Sequence, residues 1–162
     1  MTYYFEDIEI GETAELGTHL FTEEDILSFA RRFDPQRFHV DPVAAKDSLF
    51  GGLCASGWHT ASVWMRLMVR HQAALAARSG SEAFAHQARL GASPGFRQLK
   101  WLKPVYPGDT IAYRSTITEK VELDSRPGWG LVCTLAEGFN QKGEPVISFV
   151  GQVFVERRSP RK

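Results

Sequence analysis

The chain has 162 residues and a mass of 18.2 kDa, and 43% of its residues are hydrophobic and 23% charged. This length is typical of a single domain with a sizeable core, and the composition excludes a mainly disordered, collagen-like or coiled-coil chain. The 19 Lys and Arg residues balance 19 Asp and Glu residues. We therefore expect no nucleic-acid partner, because such proteins normally carry a basic excess.

The charges are unevenly distributed along the chain. Residues 1–25 contain eight acidic residues and no Lys or Arg, whereas Arg157, Arg158, Arg161 and Lys162 lie within the last six positions. The two ends either pair with each other or form solvated surface. Solvated surface is the favoured interpretation, because exposed ion pairs contribute little to stability.

The two cysteines and the N-terminus indicate where the protein is found. Cys54 and Cys133 form no CxxC motif and lie in apolar segments, which predicts buried free thiols. Free thiols are typical of a cytoplasmic protein. The first residues lack the basic and apolar regions of a secretory signal, and no run of 18 apolar residues predicts a membrane span. We expect a cytoplasmic protein without a membrane partner.

Residues 1–20 are predicted to form an N-terminal arm or strand, and a helix follows. Thr22 is placed to cap this helix, and three acidic residues follow in its first turn, where the helix dipole favours them. Pro35 ends the helix, because the residue before a proline is driven out of helical conformation. The apolar face follows the i, i+3, i+4, i+7 pattern and consists of Ile26, Phe29, Ala30 and Phe33.

Helices and loops are predicted to continue to residue 95. Asp41 and Pro42 are typical of a helix start, with a capping aspartate before a proline, and the glycines after Phe50 end that short helix. A long helix is predicted from about residue 55 to 77. Its first half is apolar nearly all round, which indicates a helix wrapped by other structure. The segment 79–95 is predicted to be a loop, with one helical turn near residues 82–88.

Residues 96–156 are predicted to form consecutive antiparallel strands separated by turns rich in glycine and proline, and residues 157–162 a basic tail. One strand places Ile111, Tyr113 and Ser115 on the same face, with the period of two that a half-buried strand requires. Helices followed by strands indicate a single α+β domain over residues 1–162. The long helix is expected to pack against a curved antiparallel sheet.

The segment from Asp34 to His39 is the first candidate for chemistry. A proline-initiated turn can bring an acid and an imidazole to one point, and a carboxylate beside a neutral imidazole is able to hold and activate water. The structural alternative is that Asp34 caps the helix exit and that His39 is a hydrogen-bonded core residue. The residues alone leave both interpretations open.

The segment from Phe50 to His59 is the second candidate. Its glycines precede the long helix, whose first N–H groups and dipole suit a carbonyl oxygen that becomes negatively charged. Gly57 would let a ligand approach the backbone closely. Tight packing of helix on sheet explains the glycines equally well, and His59 is as compatible with the core as with a site.

Several common site patterns are absent from the sequence. His39, Asp41 and His59 match no zinc-binding spacing, and no GxSxG, GxGxxG or P-loop pattern occurs. No metal site is therefore predicted.

Three motifs in combination resemble one known family. These are D-x4-H at Asp34 and His39 with the adjoining H-V-D-P-x-x-A, then F-G-G-L-x-A-S-G-W-H-T, and then W-L-K-P-V-x-P-G-D-T. Together they resemble the MaoC-like dehydratases, which include the (R)-specific enoyl-CoA hydratases of the hot-dog fold. The resemblance extends from Phe5 to the last strand.

The resemblance implies a fold, a substrate and a set of site residues. The fold is a long central helix wrapped by a curved antiparallel sheet, in chains that form homodimers or higher homo-oligomers. The substrate is a trans-2-enoyl thioester reached through a tunnel, and no cofactor is implied beyond the CoA thioester itself. Asp34 and His39 match the catalytic pair. Gly57 matches the position where the family's thioester carbonyl meets a backbone N–H, and we also expect Gln36, Ser56 and Trp58 to bind substrate.

The sequence departs from the family pattern at two places. The hydratase pattern D-x-N-P-x-H has Asn and Pro where this chain has Gln36 and Arg37, and the family often has His-Gly where Ser56-Gly57 stands here. Gln36 retains the hydrogen-bonding capacity of asparagine. Arg37 adds a charge, which either lies in solvent or meets a carboxylate on the acyl group.

The predicted function is reversible hydration of a 2-enoyl thioester, most simply a CoA ester with an (R)-3-hydroxyacyl product. Two alternatives remain open: an acyl-CoA thioesterase of the same fold, and a non-catalytic protein that binds an acyl or aromatic ligand. The candidates for holding the CoA phosphates are Arg97, Lys100, Lys103 and Arg114, with solvated sheet surface as the simpler interpretation of each.

Overall fold

The computed structural model describes residues 4–78 and 88–160. Three α-helices precede most of the strands, and short 3₁₀ turns lie at Phe5–Asp7 and Ala44–Asp47. The helices are α1 (Glu23–Phe33), α2 (Arg37–Val40) and α3 (Gly57–Arg78), and the strands are β1 (Thr13–Leu20), β2 (Gly95–Trp101), β3 (Thr110–Glu122), β4 (Trp129–Phe139) and β5 (Pro145–Glu156).

The five strands form one antiparallel sheet in the order β1-β3-β4-β5-β2. The N-terminal strand β1 pairs with β3, so that β1 and β2 form opposite edges. β3, β4 and β5 follow one another through short turns, as the alternation of apolar residues predicted. The helical turn predicted near residues 82–88 falls largely outside the described residues.

The long helix α3 lies against the sheet, and two buried hydrogen bonds fix it there. The Trp64 indole N–H donates to the Ser115 hydroxyl at 3.2 Å, and the Tyr113 hydroxyl donates to the Thr60 carbonyl oxygen at 3.1 Å. Tyr113 and Ser115 lie on the face of β3 that the sequence predicted to be buried. One long helix on one curved antiparallel sheet is the α+β hot-dog fold.

The sheet wraps α3 as predicted, but part of the apolar surface of α3 stays exposed in the single chain. Val63, Trp64 and Leu67 are buried against the sheet, whereas Met65 and Val69 are 52% and 55% exposed. The sheet thus covers one side of α3 and leaves the side with Met65 and Val69 exposed.

Two local predictions in the first half of the chain also need correction. Phe33 was expected on the buried face of α1, but it is 63% exposed because the helix ends there and only Ile26 and Ala30 are fully buried. Asp41 caps the end of α2, and the 3₁₀ turn Ala44–Asp47 follows in place of the predicted α-helix. The Asp41 carboxylate accepts hydrogen bonds from the Val43 and Ala44 backbone N–H groups, both at 3.0 Å.

The charged ends of the chain pair with each other, which overturns the favoured interpretation of solvated surface. The Arg157 guanidinium contacts the Glu6 carboxylate at 3.0 Å, and Arg158 pairs with Asp7. Phe5 is buried, and the Arg157 guanidinium lies 5.0 Å from the centre of its ring. The ends of the first and last segments are thereby held together at one end of the sheet.

A substitution at Gly130 tests this packing. A Cβ atom at Gly130 would overlap the Phe5 ring, whereas one at Gly128 would meet nothing within 4 Å. We expect Gly130→Ala to lower the free energy of unfolding by about 1–3 kcal/mol, the usual cost of overpacking, and Gly128→Ala to change it by less than about 0.5 kcal/mol. Urea denaturation measures both, and equal effects would contradict the assigned packing.

Candidate active site

The turn between α1 and α2 brings Asp34 and His39 together. Asp34 is the C-cap residue of α1, and its backbone N–H donates to the Ala30 carbonyl oxygen at 2.9 Å. Pro35 prevents the helix from continuing. The chain then enters the four-residue helix α2, which contains His39. The Nε2 atom of His39 lies 3.6 Å from Oδ2 of Asp34, and both side chains are largely buried, with 7% and 17% exposed.

A hydrogen bond on the far side of the ring defines the tautomer of His39. Nδ1 lies 2.7 Å from the Cys54 carbonyl oxygen. A carbonyl oxygen only accepts hydrogen bonds, so Nδ1 carries the proton. In the neutral ring Nε2 therefore presents a lone pair toward Asp34.

Two side chains donate hydrogen bonds to the Asp34 carboxylate. Gln36 Nε2 donates to Oδ1 at 2.8 Å, and the Ser56 hydroxyl donates to Oδ2 at 2.7 Å. Burial alone would raise the pKa of Asp34, but these two hydrogen bonds and the nearby His39 outweigh burial and hold that pKa below its ordinary value. Asp34 is therefore ionised at neutral pH.

Ser56 links this carboxylate to the start of α3. Its side chain is fully buried, donates to Asp34, and accepts a hydrogen bond from the Trp58 backbone N–H at 3.2 Å. A serine in this position satisfies one of the N–H groups that a helix start leaves unpaired. The sequence predicted Ser56 as a substrate-binding residue, and in the structure its hydroxyl contacts the carboxylate.

Gly57 begins α3 and lines the same cavity as the pair. Among the residues that the structure describes, no acceptor pairs with its backbone N–H. The space where a side chain would lie is filled, because a Cβ atom at Gly57 would overlap the Trp101 indole. The absence of a side chain thus admits Trp101, whereas the sequence predicted that it would admit a ligand.

Asp34, His39 and the start of α3 surround one cavity of about 460 Å³. All predicted site residues contribute to its wall: Asp34, His39, Gln36, Ser56, Gly57 and Trp58. Phe38 and Phe50 pack against each other at 5.0 Å between ring centres and form an apolar part of the wall. The cavity therefore combines a polar pair with apolar surface, as ligand sites commonly do.

Other residues singled out in the sequence lie elsewhere. His59 stacks on Phe29 at 4.4 Å between ring centres, in the core, and burial lowers its pKa to about 4. Arg37 is exposed and does not line the cavity. Of the four basic candidates, Lys103 alone lines it.

Sequence reasoning missed the Cys54 carbonyl and Trp101. A backbone carbonyl carries no sequence signal, because every residue has one. Trp101 lies 44 positions from Gly57 in the sequence, and only the folded sheet brings them together. The Cys54 thiol is buried, and burial raises its pKa to about 11, so it is not a nucleophile at neutral pH.

Residues 4–78 and 88–160 contain no group of three or more His, Cys, Asp or Glu residues arranged to hold a metal ion. None of their helices combines the length and apolar character needed to cross a membrane.

Comparison with known proteins identifies similar chains. A family model described as "MaoC like domain" matches residues 7–128. The crystal structure of a MaoC-like dehydratase from Rhodospirillum rubrum is 35% identical and superposes with a TM-score of 0.79, covering 97% of this chain and 99% of that one.

Two curated proteins are also similar. YdeM of Bacillus subtilis, named as uncharacterized, is 28% identical over 153 residues, which is 94% of this chain and 98% of YdeM. Mesaconyl-CoA hydratase of Cereibacter sphaeroides is 42% identical over 67 residues, which is 41% of this chain and 19% of that protein.

The Ser56 hydrogen bond can be tested by titration. We expect Ser56→Ala to raise the pKa of Asp34, because a donor to the ionised form is lost, and to lower the free energy of unfolding at pH 7 by about 2 kcal/mol. Thr22→Ala is the matched control, because Thr22 caps α1 through the Asp25 N–H and does not contact Asp34. NMR titration of the Asp34 carboxyl carbon measures the shift.

The pH dependence of stability gives a second measurement. A depressed carboxyl pKa stabilises the fold fully above the ordinary value of 3.8, and this stabilisation is lost as the pH falls through the lower pKa of the folded state. The stability difference between wild type and Ser56→Ala should therefore shrink below pH 3.8. A constant difference, or an unchanged Asp34 pKa, would contradict the assigned hydrogen bond.

Proposed function

We propose that this chain, which belongs to the MaoC-like dehydratase family, reversibly adds water to the double bond of a 2-enoyl thioester. One observation carries the proposal. The Asp34 Oδ2 and His39 Nε2 atoms lie 3.6 Å apart, and both residues line one cavity.

This geometry suits one bound water molecule. A carboxylate and an unprotonated imidazole nitrogen both accept hydrogen bonds and do not pair with each other. A water has two donors and can give one to each, which leaves its oxygen lone pairs for attack. We assign Asp34 and His39 as the catalytic residues that hold this water.

The chemical step conserves atoms and charge. The water oxygen forms a bond to C3 of the substrate while one of its protons passes to the pair, and the C2–C3 π electrons move toward the thioester carbonyl. A proton is then delivered from the pair to C2 on the same face, and the product is a 3-hydroxyacyl thioester. The thioester carbonyl already activates the double bond, so that acid–base groups are sufficient for the step.

The start of α3 is the proposed binding site of the thioester carbonyl. The Gly57 N–H lacks an acceptor among the described residues and lies at the positive end of a 22-residue helix. It can donate to the carbonyl oxygen as negative charge develops there. Trp101 and Trp58 form the adjoining wall, with 5.3 Å between ring centres.

The substrate is proposed to be a CoA ester. The similar protein from Cereibacter sphaeroides is named for hydration of a CoA thioester, although this chain matches only 19% of its length. The resemblance to (R)-specific hydratases leads us to expect an R product. The mixed polar and apolar wall of the cavity is compatible with a short acyl group.

The exposed apolar face of α3 leads us to propose a homodimer. Trp58, Met65 and Val69 lie on this face, and Phe96 and Trp101 of the edge strand β2 continue it. An apolar surface of this kind is a common sign of a protein interface. A second copy would cover the side of α3 that the sheet leaves open.

Substitution of the catalytic pair tests the activity. Wild type should hydrate crotonyl-CoA, followed as loss of enoyl absorbance. Asp34→Asn and His39→Gln should each lower kcat/KM by about 10²–10⁴-fold, the usual contribution of an acid–base group. Asp47→Asn, which removes an exposed carboxylate from the neighbouring 3₁₀ turn, should retain wild-type activity.

The same assay distinguishes the alternatives. Release of free thiol without a hydroxyacyl product would indicate a thioesterase. Ligand binding without turnover, unaffected by His39→Ala, would indicate a binding protein. A fast Asp34→Asn variant would contradict the role assigned to the carboxylate.

Light scattering tests the homodimer. Wild type should have twice the monomer mass of 18.2 kDa, and the double variant Met65→Glu, Val69→Glu should be a monomer, because two buried carboxylates would disrupt the interface. Arg70→Glu, an exposed change on the same helix, should leave the dimer intact. A dimer that survives the double variant would place the interface elsewhere.

A further inference from the structure

Lys103 places one positive charge on the wall of the cavity. It follows β2 in the W-L-K-P segment, and it is the only Lys or Arg on the wall among residues 4–78 and 88–160. Its side chain is 46% exposed, whereas those of Asp34 and His39 are 17% and 7% exposed. The ammonium group therefore lies at the solvent side of the cavity and the catalytic pair at the buried side.

Two residues of the β4–β5 turn hold Lys103 in this position. Its Nζ lies 2.5 Å from Oε1 of Glu144, and the other oxygen of Glu144 accepts a hydrogen bond from Asn140 at 2.9 Å. An ammonium group has three N–H donors. Glu144 uses one of them, so Lys103 is oriented and retains donors for a ligand.

The remaining basic candidates do not compete for this role. Arg97 and Arg114 do not line the cavity. Lys100 lies on β2, also outside the cavity wall. Of the four basic residues that the sequence offered as candidates, Lys103 is therefore the one that lines the cavity.

We propose that Lys103 binds an anionic oxygen group of the thioester substrate and so selects among thioesters; this inference rests on the proposed function. This group is either a phosphate on the CoA part of the substrate or a carboxylate on its acyl part. Both present anionic oxygens that accept hydrogen bonds from an ammonium group. A cavity of about 460 Å³ encloses a ligand of modest size, and a whole CoA ester exceeds it. The phosphates must then lie at the solvent side, where Lys103 is.

Calorimetry with unreactive thioesters tests this proposal without requiring turnover. The ligands are butyryl-CoA, butyryl-pantetheine, which lacks phosphate, and succinyl-pantetheine, which carries a carboxylate instead. Lys103→Gln is compared with Lys142→Gln, which removes an exposed lysine of the same β4–β5 turn that does not line the cavity. We expect Lys103→Gln to weaken the binding of butyryl-CoA or of succinyl-pantetheine about tenfold or more, as loss of a charge-assisted hydrogen bond does.

The pattern across ligands identifies the anion. A loss for butyryl-CoA alone assigns the phosphate, and a loss for succinyl-pantetheine alone assigns the carboxylate; either result supports the proposal. Equal affinities of Lys103→Gln and Lys142→Gln for all three ligands would overturn it. Loss of binding in Lys103→Gln together with an inactive wild type would overturn the hydratase function alone. Failure of wild type to bind any of the three would overturn both.

Discussion

The hydrogen bond from Ser56 to Asp34 is the contact on which the site depends. It joins the end of α1 to the start of α3, and the same hydroxyl accepts the Trp58 N–H. One fully buried side chain therefore holds the helix start, orients the carboxylate and favours its ionised form. Moving α3 along the sheet would break this link, so the packing of the helix on Tyr113 and Ser115 of β3 indirectly sets the geometry of the carboxylate.

The histidine is oriented by the same short segment. The Cys54 carbonyl lies two residues before Ser56, in the segment that precedes α3, and it fixes the proton on Nδ1 of His39. The carboxylate is thus held by a side-chain hydroxyl and the imidazole by a backbone carbonyl of one stretch of chain. Residues 54–56 therefore set the orientation of both groups.

Local patterns in the sequence predicted most of the fold. The alternation in β3 and the spacing of Ile26 and Ala30 in α1 are local signals of strand and helix, and the structure confirms them. Pro35 likewise predicted a turn able to bring Asp34 and His39 together. Contacts set by tertiary packing were not predictable, because no local pattern encodes them. The Trp101 ring over Gly57, the exposure of Phe33 and the pairing of Arg157 with Glu6 all belong to this class.

The placement of Asp34 opposite His39 suits the proposed reactant. Oδ2 of Asp34 accepts a hydrogen bond from Ser56, and Nε2 of His39 lies 3.6 Å from the same oxygen on the wall of the same cavity. A carboxylate oxygen can accept more than one hydrogen bond, so a water that donates to Oδ2 and to an unprotonated Nε2 can be added to the existing contacts. Water is the smallest molecule that donates two hydrogen bonds. The hydrogen bonds from Gln36 and Ser56 stabilise the carboxylate and do not occupy the imidazole nitrogen.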